Sequence, residues 1–137
     1  MKKILITGGC GYVGARLVPF LLTKGYDIRV IDSLVFGNAL SPFNFELVEG
    51  DIRDSDLLEK AMTDVSCIIH LAAISNDPTA ELKPETTKSV NYDAIVNMVN
   101  VAKKKGVERI ILASSSTLYG YSEKDILLSE EYQSKVG

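Results

Sequence analysis

The chain has 137 residues, of which 46% are hydrophobic and 24% charged, and this is the composition of one globular domain. A net charge of -3 gives no indication of a basic surface for nucleic acid. Two cysteines, Cys10 and Cys67, are too few for a disulfide framework or a metal site, which indicates a protein of the reducing cytoplasm. Only three apolar residues lie between Met1–Lys3 and Thr7, which predicts neither a signal peptide nor a membrane span.

The first predicted elements are a strand, Lys2–Thr7, a glycine-rich turn and a helix. The turn fits two glycine spacings, G-x-G-x-x-G from Gly9 and G-x-x-G-x-x-G from Gly8, and both include Gly11 and Gly14. Such a turn presents backbone N–H groups and the positive end of a helix dipole to a phosphate group. The sequence therefore predicts a dinucleotide site at this turn.

Strands and helices alternate along the rest of the chain. The predicted elements are the helix Arg16–Lys24, the strands Asp27–Ile31 and Phe45–Val48, a helix capped by Asp54 or Ser55, the strand Val65–Leu71, a long helix Pro84–Lys105 and the strand Val107–Ala113. Five strands separated in this way predict a doubly wound parallel α/β sheet with right-handed crossovers and strand order 3-2-1-4-5. Pro19 removes one backbone hydrogen bond from the first helix and predicts a bend or a local rearrangement there.

Asp32 closes the second predicted strand, 18 positions after Gly14 (32 minus 14). Its carboxylate can accept hydrogen bonds from both hydroxyl groups of an adenosine ribose and would repel a 2′-phosphate. The segment Ser33–Asn38 contains no Arg or Lys that could neutralise such a phosphate. The cofactor predicted from these residues is NAD rather than NADP.

Three further groups at predicted strand ends have two interpretations each. Asp51 and Ile52 could contact adenine, or Asp51 could be a turn residue that binds its own backbone. His70, the only histidine, fits a structural strand residue better than a catalytic one. Ser114–Thr117 brings four hydroxyl groups to the end of the fifth strand, where one or two could bind a substrate oxygen and the others cap the strand.

Five motifs in order resemble those of the extended short-chain dehydrogenase/reductase family, in particular its NAD-dependent nucleotide-sugar epimerase and dehydratase branch. They are T-G-G-C-G-Y-V-G from Thr7, G-D-I-R-D from Gly50, H-L-A-A from His70, the helix residue Asn91, and S-S-S-T-L-Y-G from Ser114. The resemblance covers most of the chain. It implies that residues 1–137 form a Rossmann domain that binds NAD.

Carried over position by position, the resemblance implies that Ser115 is the catalytic hydroxyl. Tyr12 and Val13 would meet the pyrophosphate, and Leu71–Ala73 would meet the inner ribose. The cofactor-binding residues that the resemblance implies are Gly8, Gly11, Tyr12, Val13, Gly14, Asp32, Ser33, Asp51, Ile52, Leu71, Ala72, Ala73, Asn91 and Ser114.

The family's catalytic Y-x-x-x-K pair has no counterpart in the sequence. Tyr132 and Lys135 have the spacing Y-x-x-K, which is one residue short. The resemblance places the tyrosine just beyond Gly137, so we expect an N-terminal fragment that lacks the sixth strand and the substrate domain and has little or no turnover by itself. Ser116 and Thr117 stand where dehydratases of the branch carry Asp and Glu, which favours an epimerase or a reductase.

The function predicted for the whole protein is epimerisation of a nucleotide sugar, with transient oxidation of a sugar hydroxyl by hydride transfer to NAD. The alternatives are a non-catalytic dinucleotide-binding module and an NAD-dependent reductase of a non-sugar ketone. The expected partners are a nucleotide-sugar substrate and a second copy of the chain. The resemblance implies a homodimer formed through the long helix, Glu85–Lys105, and the helix that follows residue 137. We expect neither a nucleic-acid partner nor a membrane.

Overall fold

The computed structural model describes residues 3–40, 43–75, 77–119, 128–129 and 131. Its elements are β1 (Lys3–Thr7), α1 (Gly14–Thr23), β2 (Asp27–Asp32), β3 (Glu46–Glu49), α2 (Ser55–Ala61), β4 (Val65–His70), α3 (Asp77–Leu82), α4 (Pro84–Lys88), a π-helical turn (Ser89–Asp93), α5 (Ala94–Lys105), β5 (Arg109–Leu112) and a 3-10 turn (Ser116–Tyr119). The strands form one parallel sheet in the order β3-β2-β1-β4-β5. The predicted doubly wound order is therefore confirmed.

The sheet has an apolar core on each face, because alternate side chains of a strand point to opposite sides. Leu5 and Ile68 belong to one core together with Met98 of α5, while Ile6 belongs to the other core together with Val18 of α1. Burying a side chain of this size contributes about 1.5–3 kcal/mol. The continuous apolar runs of β1 and β4 are typical of parallel strands that are covered on both faces.

The connection between β4 and β5 differs from the prediction. A short helix, α3, lies between β4 and the predicted helix Pro84–Lys105, where the sequence predicted no element. The predicted helix itself consists of α4, the π-helical turn and α5. Lys83, which separates α3 from α4, has a φ of -143°. The residue before a proline is restricted in this way, because the proline ring disfavours the helical conformation of its predecessor. Helix α1 continues through Pro19.

Arg29 is buried in β2 although its guanidinium group is charged. Its Nη1 donates to the carbonyl oxygens of Ala61 and Thr63 at the end of α2, both at 2.7 Å. Its Nε lies 2.8 Å from Oε1 of Glu46 on β3. Hydrogen bonds from Arg29 and then from Lys3 lower the pKa of the Glu46 carboxyl. Arg29 therefore caps the negative end of α2 and ties this helix to the edge of the sheet.

Candidate functional site

The carboxyl ends of the parallel strands bring the predicted site residues to one edge of the sheet. Thr7 at the end of β1 pairs with Ile31 of β2 on one side and with His70 of β4 on the other. Strand order reverses between β1 and β4. A doubly wound sheet binds ligands beyond such a point, because the connections diverge there and leave a crevice.

Gly8 begins the turn that crosses this crevice. Its φ is +68°, and its N–H donates to the carbonyl oxygen of Ile31 at 2.8 Å. A Cβ at this position would lie 2.7 Å from the Cα of Ala72 in the loop after β4. Only glycine fits, both because of the left-handed backbone and because the two loops are in direct contact.

The other glycines of the turn divide into two that are enclosed and one that is open. A Cβ at Gly9 would lie 2.8 Å from a methyl carbon of Val30, and a Cβ at Gly14 would collide with the carbonyl group of Gly9. A Cβ at Gly11 meets no atom closer than the Gly8 oxygen at 3.4 Å, and Gly11 is exposed. The fold itself therefore requires glycine at the enclosed positions, whereas Gly11 keeps a path to the backbone open.

The N-terminus of α1 lies directly beside Gly11. Helix α1 starts at Gly14, with no side-chain cap from Val13 and no acidic residue in its first turn. Tyr12 is 96% exposed and Val13 57% exposed. None of the hydrogen bonds found among the described residues uses the backbone N–H groups of these two residues. These N–H groups and the helix dipole can therefore bind an anion such as a phosphate.

Asp32 lies beside the glycine turn and is fixed by two backbone groups. Its Oδ2 accepts the N–H of Cys10 and its Oδ1 accepts the N–H of Leu34, both at 2.9 Å. A carboxylate accepts about four hydrogen bonds, so about two remain for the hydroxyl groups of a ligand. The Cys10 thiol is buried, and burial together with the Asp32 charge raises its pKa to about 11. Ser33, next to Asp32, is exposed.

Asp51 and Ile52 follow β3, one strand further along the sheet. The Oδ1 of Asp51 accepts the N–H of Arg53 at 2.9 Å, which is the turn geometry that the sequence left open as an alternative. The Arg53 side chain also contacts both carboxylate oxygens, and these hydrogen bonds lower the pKa of the Asp51 carboxyl. The side chain of Ile52 is 6% exposed and belongs to the core that includes α2 and α5.

His70 is a buried strand residue rather than an exposed group of the crevice. Its Nδ1 lies 2.6 Å from Oγ1 of Thr7, across the β1–β4 pair. Burial lowers its pKa, so the ring is neutral at neutral pH. This environment fits the structural interpretation of the histidine, because a side chain that is 2% exposed has no access to a ligand.

Asn91 holds the loop that follows β4. Its Oδ1 accepts the N–H of Ile74 at 2.9 Å, and its Nδ2 donates to the carbonyl oxygen of Ile74 at 2.8 Å. The residue lies in the middle of the π-helical turn, a type of turn that is frequent at functional sites. Asn91 therefore positions the segment 71–75, which contacts the glycine turn through Ala72.

Ser114 and Ser115 follow β5 and lie at the same edge of the sheet as the glycine turn. Both residues are exposed, and the carbonyl oxygen of Ser115 accepts the N–H of Leu118 at 3.2 Å. Tyr132 and Lys135, whose spacing is one residue short of the family motif, lie outside the described residues.

Two contributions to the site were not predicted from the sequence. Arg53 engages the carboxylate of Asp51, and the D-x-R spacing within a turn is a local signal that could have indicated this pair. Ile74 is the partner of Asn91, 17 positions away in sequence. No local pattern marks Ile74, because it contributes only backbone atoms and the folding of the loop brings it to the helix.

The described residues contain no group of three or more His, Cys, Asp or Glu side chains that could hold a metal ion. Within the same part of the chain, no helix is long and apolar enough to cross a membrane.

The sheet order, the open glycine turn at the switch point and the carboxylate of Asp32 define a Rossmann fold of the dinucleotide-binding class. Residues 4–135 match the family model described as the NAD dependent epimerase/dehydratase family, and the chain belongs to this family. The resemblance inferred from the five motifs is confirmed, and NAD is confirmed as the cofactor of the family.

Two relatives of the chain are named for reactions of UDP sugars. The UDP-glucuronic acid decarboxylase 1 of Xenopus tropicalis is 35% identical over 137 residues, which cover 96% of this chain and 31% of that protein. The UDP-glucose 4-epimerase of Lactobacillus helveticus is 30% identical over 126 residues, which cover 89% of this chain and 38% of that protein.

The fold also matches solved structures of the family. The crystal structure of the Thermus thermophilus UDP-glucose 4-epimerase in complex with NAD gives a TM-score of 0.87 at 25% identity, over 97% of this chain and 44% of that chain. The chain thus spans less than half the length of each of these three proteins.

Proposed function

We propose that this chain, as a domain of residues 1–137, forms the NAD-binding part of an enzyme that epimerises a nucleotide sugar. The observation that carries the proposal is the turn at Gly11, where no hydrogen bond among the described residues uses the backbone N–H groups of Tyr12 and Val13, beside the carboxylate of Asp32. This arrangement offers hydrogen-bond donors to a pyrophosphate and acceptors to a ribose at the switch point of the sheet.

The adenosine half of NAD would lie across β2 and β3. The remaining acceptor positions of Asp32 would take the two ribose hydroxyl groups, with Ser33 beside them, and the turn at Asp51 and Ile52 would take the adenine. A 2′-phosphate at the ribose would meet the negative charge of Asp32 without a neighbouring cation in Ser33–Asn38. The site therefore favours NAD over NADP.

The nicotinamide half would extend from the glycine turn towards β4 and β5. The loop that begins with Leu71, Ala72 and Ala73 would lie against the inner ribose, and Ser114 would support the cofactor through its backbone. NAD, when bound, supplies a hydride acceptor for the sugar carbon that carries the hydroxyl group. The hydroxyl of Ser115 would hold the sugar oxygen while that carbon loses and regains its hydride.

The proposed substrate is a nucleotide sugar, since both curated relatives described above are named for reactions of UDP sugars. We place the protein in the cytoplasm as a homodimer. The side chains of Tyr92 and Val96, four positions apart, are 61% and 45% exposed, and they would provide an apolar contact for a second copy. Sedimentation of wild type and Val96→Lys tests the dimer, which we expect the lysine to weaken.

Isothermal titration calorimetry of the 137-residue chain with NAD and with NADP tests the cofactor assignment. We expect a saturable heat with NAD and an affinity for NADP at least about tenfold weaker, because the added phosphate would meet Asp32. Circular dichroism of the same sample shows whether it is folded. A folded chain that gives no saturable heat with either dinucleotide contradicts the proposal.

A further inference from the structure

The ends of β1 and β4 are joined at the point where the crevice opens. Thr7 and His70 are register partners on these strands, and the N–H of Leu71 donates to the carbonyl oxygen of Thr7 at 3.0 Å. The next residue of the first chain segment, Gly8, is in direct contact with Ala72. The glycine turn and the loop after β4 therefore leave the sheet together, and their relative position depends on how the two strand ends are held.

One contact between buried side chains links these strand ends. The Nδ1 of His70 lies 2.6 Å from Oγ1 of Thr7. The other ring nitrogen, Nε2, is buried and has no hydrogen-bond partner among the described residues. A protonated imidazole carries an N–H on both nitrogens, and this environment offers a partner to only one of them. The geometry therefore fits the neutral ring and not the charged one.

No neighbouring charge offsets a proton on this ring. His70 follows Ile68 by two positions and so faces the same core, against α5 and the π-helical turn. The charged or titratable groups on the adjacent strands and on these helical segments are Lys3, Tyr92, Asp93, Lys103–Lys105 and Arg109. Those of the strands lie at the opposite ends of β1 and β5, and those of the helical segments are exposed. Burial alone lowers the pKa of His70.

We propose that His70 is a positioning residue that holds the glycine turn only in its neutral form, so that protonation of the ring and binding of the dinucleotide oppose each other. The inference rests on the proposed function and adds a proton-dependent control of the same site. A charged ring here has no counter-ion and one N–H without an acceptor, and separating the strand ends would admit water to it. The dinucleotide needs the glycine turn and the loop after β4 together, so it binds the arrangement that the proton disfavours.

The direction of the effect follows from this competition. Two ligands that favour different arrangements lower each other's affinity by the same factor. The pKa of His70 should therefore be lower in the NAD-bound chain than in the free chain, and the affinity for NAD should fall as the pH falls through the pKa of the free chain. If the strand ends stayed together, the negative pyrophosphate would attract the charged ring and raise the pKa of His70 instead.

Nuclear magnetic resonance titration of wild type, free and saturated with NAD, measures this difference directly. His70 is the only histidine of the chain, so the resonance of its ring carbon Cε1 needs no assignment. We expect the pKa of His70 to be lower by about half a unit or more in the saturated chain, which corresponds to about a threefold change in affinity. This measurement uses wild type alone and does not depend on how well a variant folds.

Calorimetry with NAD on wild type and His70→Gln gives the reciprocal quantity. Glutamine can still bond to Oγ1 of Thr7 but cannot take up a proton. The dissociation constant is measured at about pH 7.5 and at the lowest pH at which circular dichroism shows both proteins folded. We expect it to rise about threefold more in wild type than in His70→Gln. Other groups that titrate, such as Asp32, act in both proteins and cancel in this comparison.

Thr7→Val tests whether Thr7 transmits the effect. Valine keeps the shape of the side chain and removes the hydroxyl that Nδ1 contacts. Since one hydrogen bond contributes about 0.5–1.5 kcal/mol, we expect the dissociation constant of NAD at neutral pH to rise about threefold. Thr23→Val is the matched control, because Thr23 is exposed at the end of α1 and donates only to the carbonyl oxygen of Phe20. The control should bind NAD as wild type does.

A pKa of His70 that NAD leaves unchanged or raises overturns the inference, and so does a ring that stays neutral until the chain unfolds. A merely structural role of His70 would change the affinity of His70→Gln equally at both pH values, and equal pH dependence in the two proteins would also overturn the inference. Wild-type affinity in Thr7→Val would do the same. These results leave the proposed cofactor intact, whereas a folded wild-type chain that does not bind NAD overturns the proposed function and this inference together.

Discussion

Replacing Gly11 with alanine separates ligand binding from folding at the glycine turn. The new Cβ would lie 3.4 Å from the Gly8 oxygen, and the φ of Gly11 is not in the left-handed region. At such a position the substitution restricts the unfolded chain and stabilises the fold by about 0.4–1 kcal/mol. The close contact of the new Cβ with the Gly8 oxygen offsets part of this gain. We therefore expect the free energy of unfolding of Gly11→Ala to lie within about 1 kcal/mol of the wild-type value.

The expected effect on cofactor affinity is much larger. We expect the methyl group, at an exposed position of the turn, to obstruct the approach of a phosphate to the backbone N–H groups of Tyr12 and Val13. A hydrogen bond to a charged group contributes about 1.5–3 kcal/mol, so the loss of two such bonds costs about 3 kcal/mol or more. This corresponds to a rise of roughly a hundredfold or more in the dissociation constant of NAD.

Calorimetry with NAD and urea unfolding of the same samples measure the two quantities. Gly106→Ala is the matched control, because Gly106 has a φ of +73° and open space around its Cβ position, at the end of α5. The control is expected to lose about 1–2 kcal/mol of stability through backbone strain and to bind NAD as wild type does. A folded Gly11→Ala chain that binds NAD with wild-type affinity would refute the placement of the pyrophosphate at this turn.

Three further predictions concern the side chains that hold the loops and the sheet. Asn91→Ala removes two hydrogen bonds to Ile74, and we expect it to lower the free energy of unfolding by about 1–3 kcal/mol and to speed hydrogen exchange of the Ile74 amide. The control Asn97→Ala loses one exposed hydrogen bond to Ser55 and should leave the Ile74 amide protected. Arg29→Met leaves two carbonyl groups at the end of α2 without their donor and is expected to lower the free energy of urea unfolding by about 3 kcal/mol. The lowered pKa of Glu46 contributes stability above its ordinary value of 4.5, and this contribution is lost as pH falls through the lower folded value. The free energy of unfolding, measured in urea at several acidic pH values, should therefore fall less steeply with falling pH in Glu46→Gln than in wild type. Equal slopes in the two proteins would contradict a stabilising role for the hydrogen bonds of Glu46 with Arg29 and Lys3.

The sheet and the turn could be predicted from the sequence because their signals are local. The apolar runs of β1 and β4, the glycines between β1 and α1, and Asp32 at the end of β2 each lie within one short segment. The right-handed crossover rule then leaves few sheet orders to consider. Local patterns, this rule and the strand order typical of doubly wound sheets were together enough to predict the order of the five strands.

The contacts that hold the site together were not accessible in this way. The guanidinium group of Arg29 bonds to carbonyl groups 32 and 34 positions away, and the sequence marks it only as one charge within an apolar strand. The π-helical turn around Asn91 was predicted as ordinary helix, because helical periodicity does not register one extra residue in a turn. Tertiary contacts determine both features. The side chains of Arg29 and Asn91 bond to backbone groups, and the residue type at a position does not show that its backbone is such a partner.

The glycines of the turn differ in what their presence implies about a ligand. Gly8, Gly9 and Gly14 are needed for close packing against Ala72, against Val30 and within the turn itself, and this need exists whether or not a cofactor binds. A domain that had lost its ligand would keep them for stability. Gly11 has no such requirement, because the atom nearest to its Cβ position is the Gly8 oxygen at 3.4 Å. A side chain there would cost the fold little, so packing does not explain the glycine at this position, and the proposed approach of a phosphate would explain it.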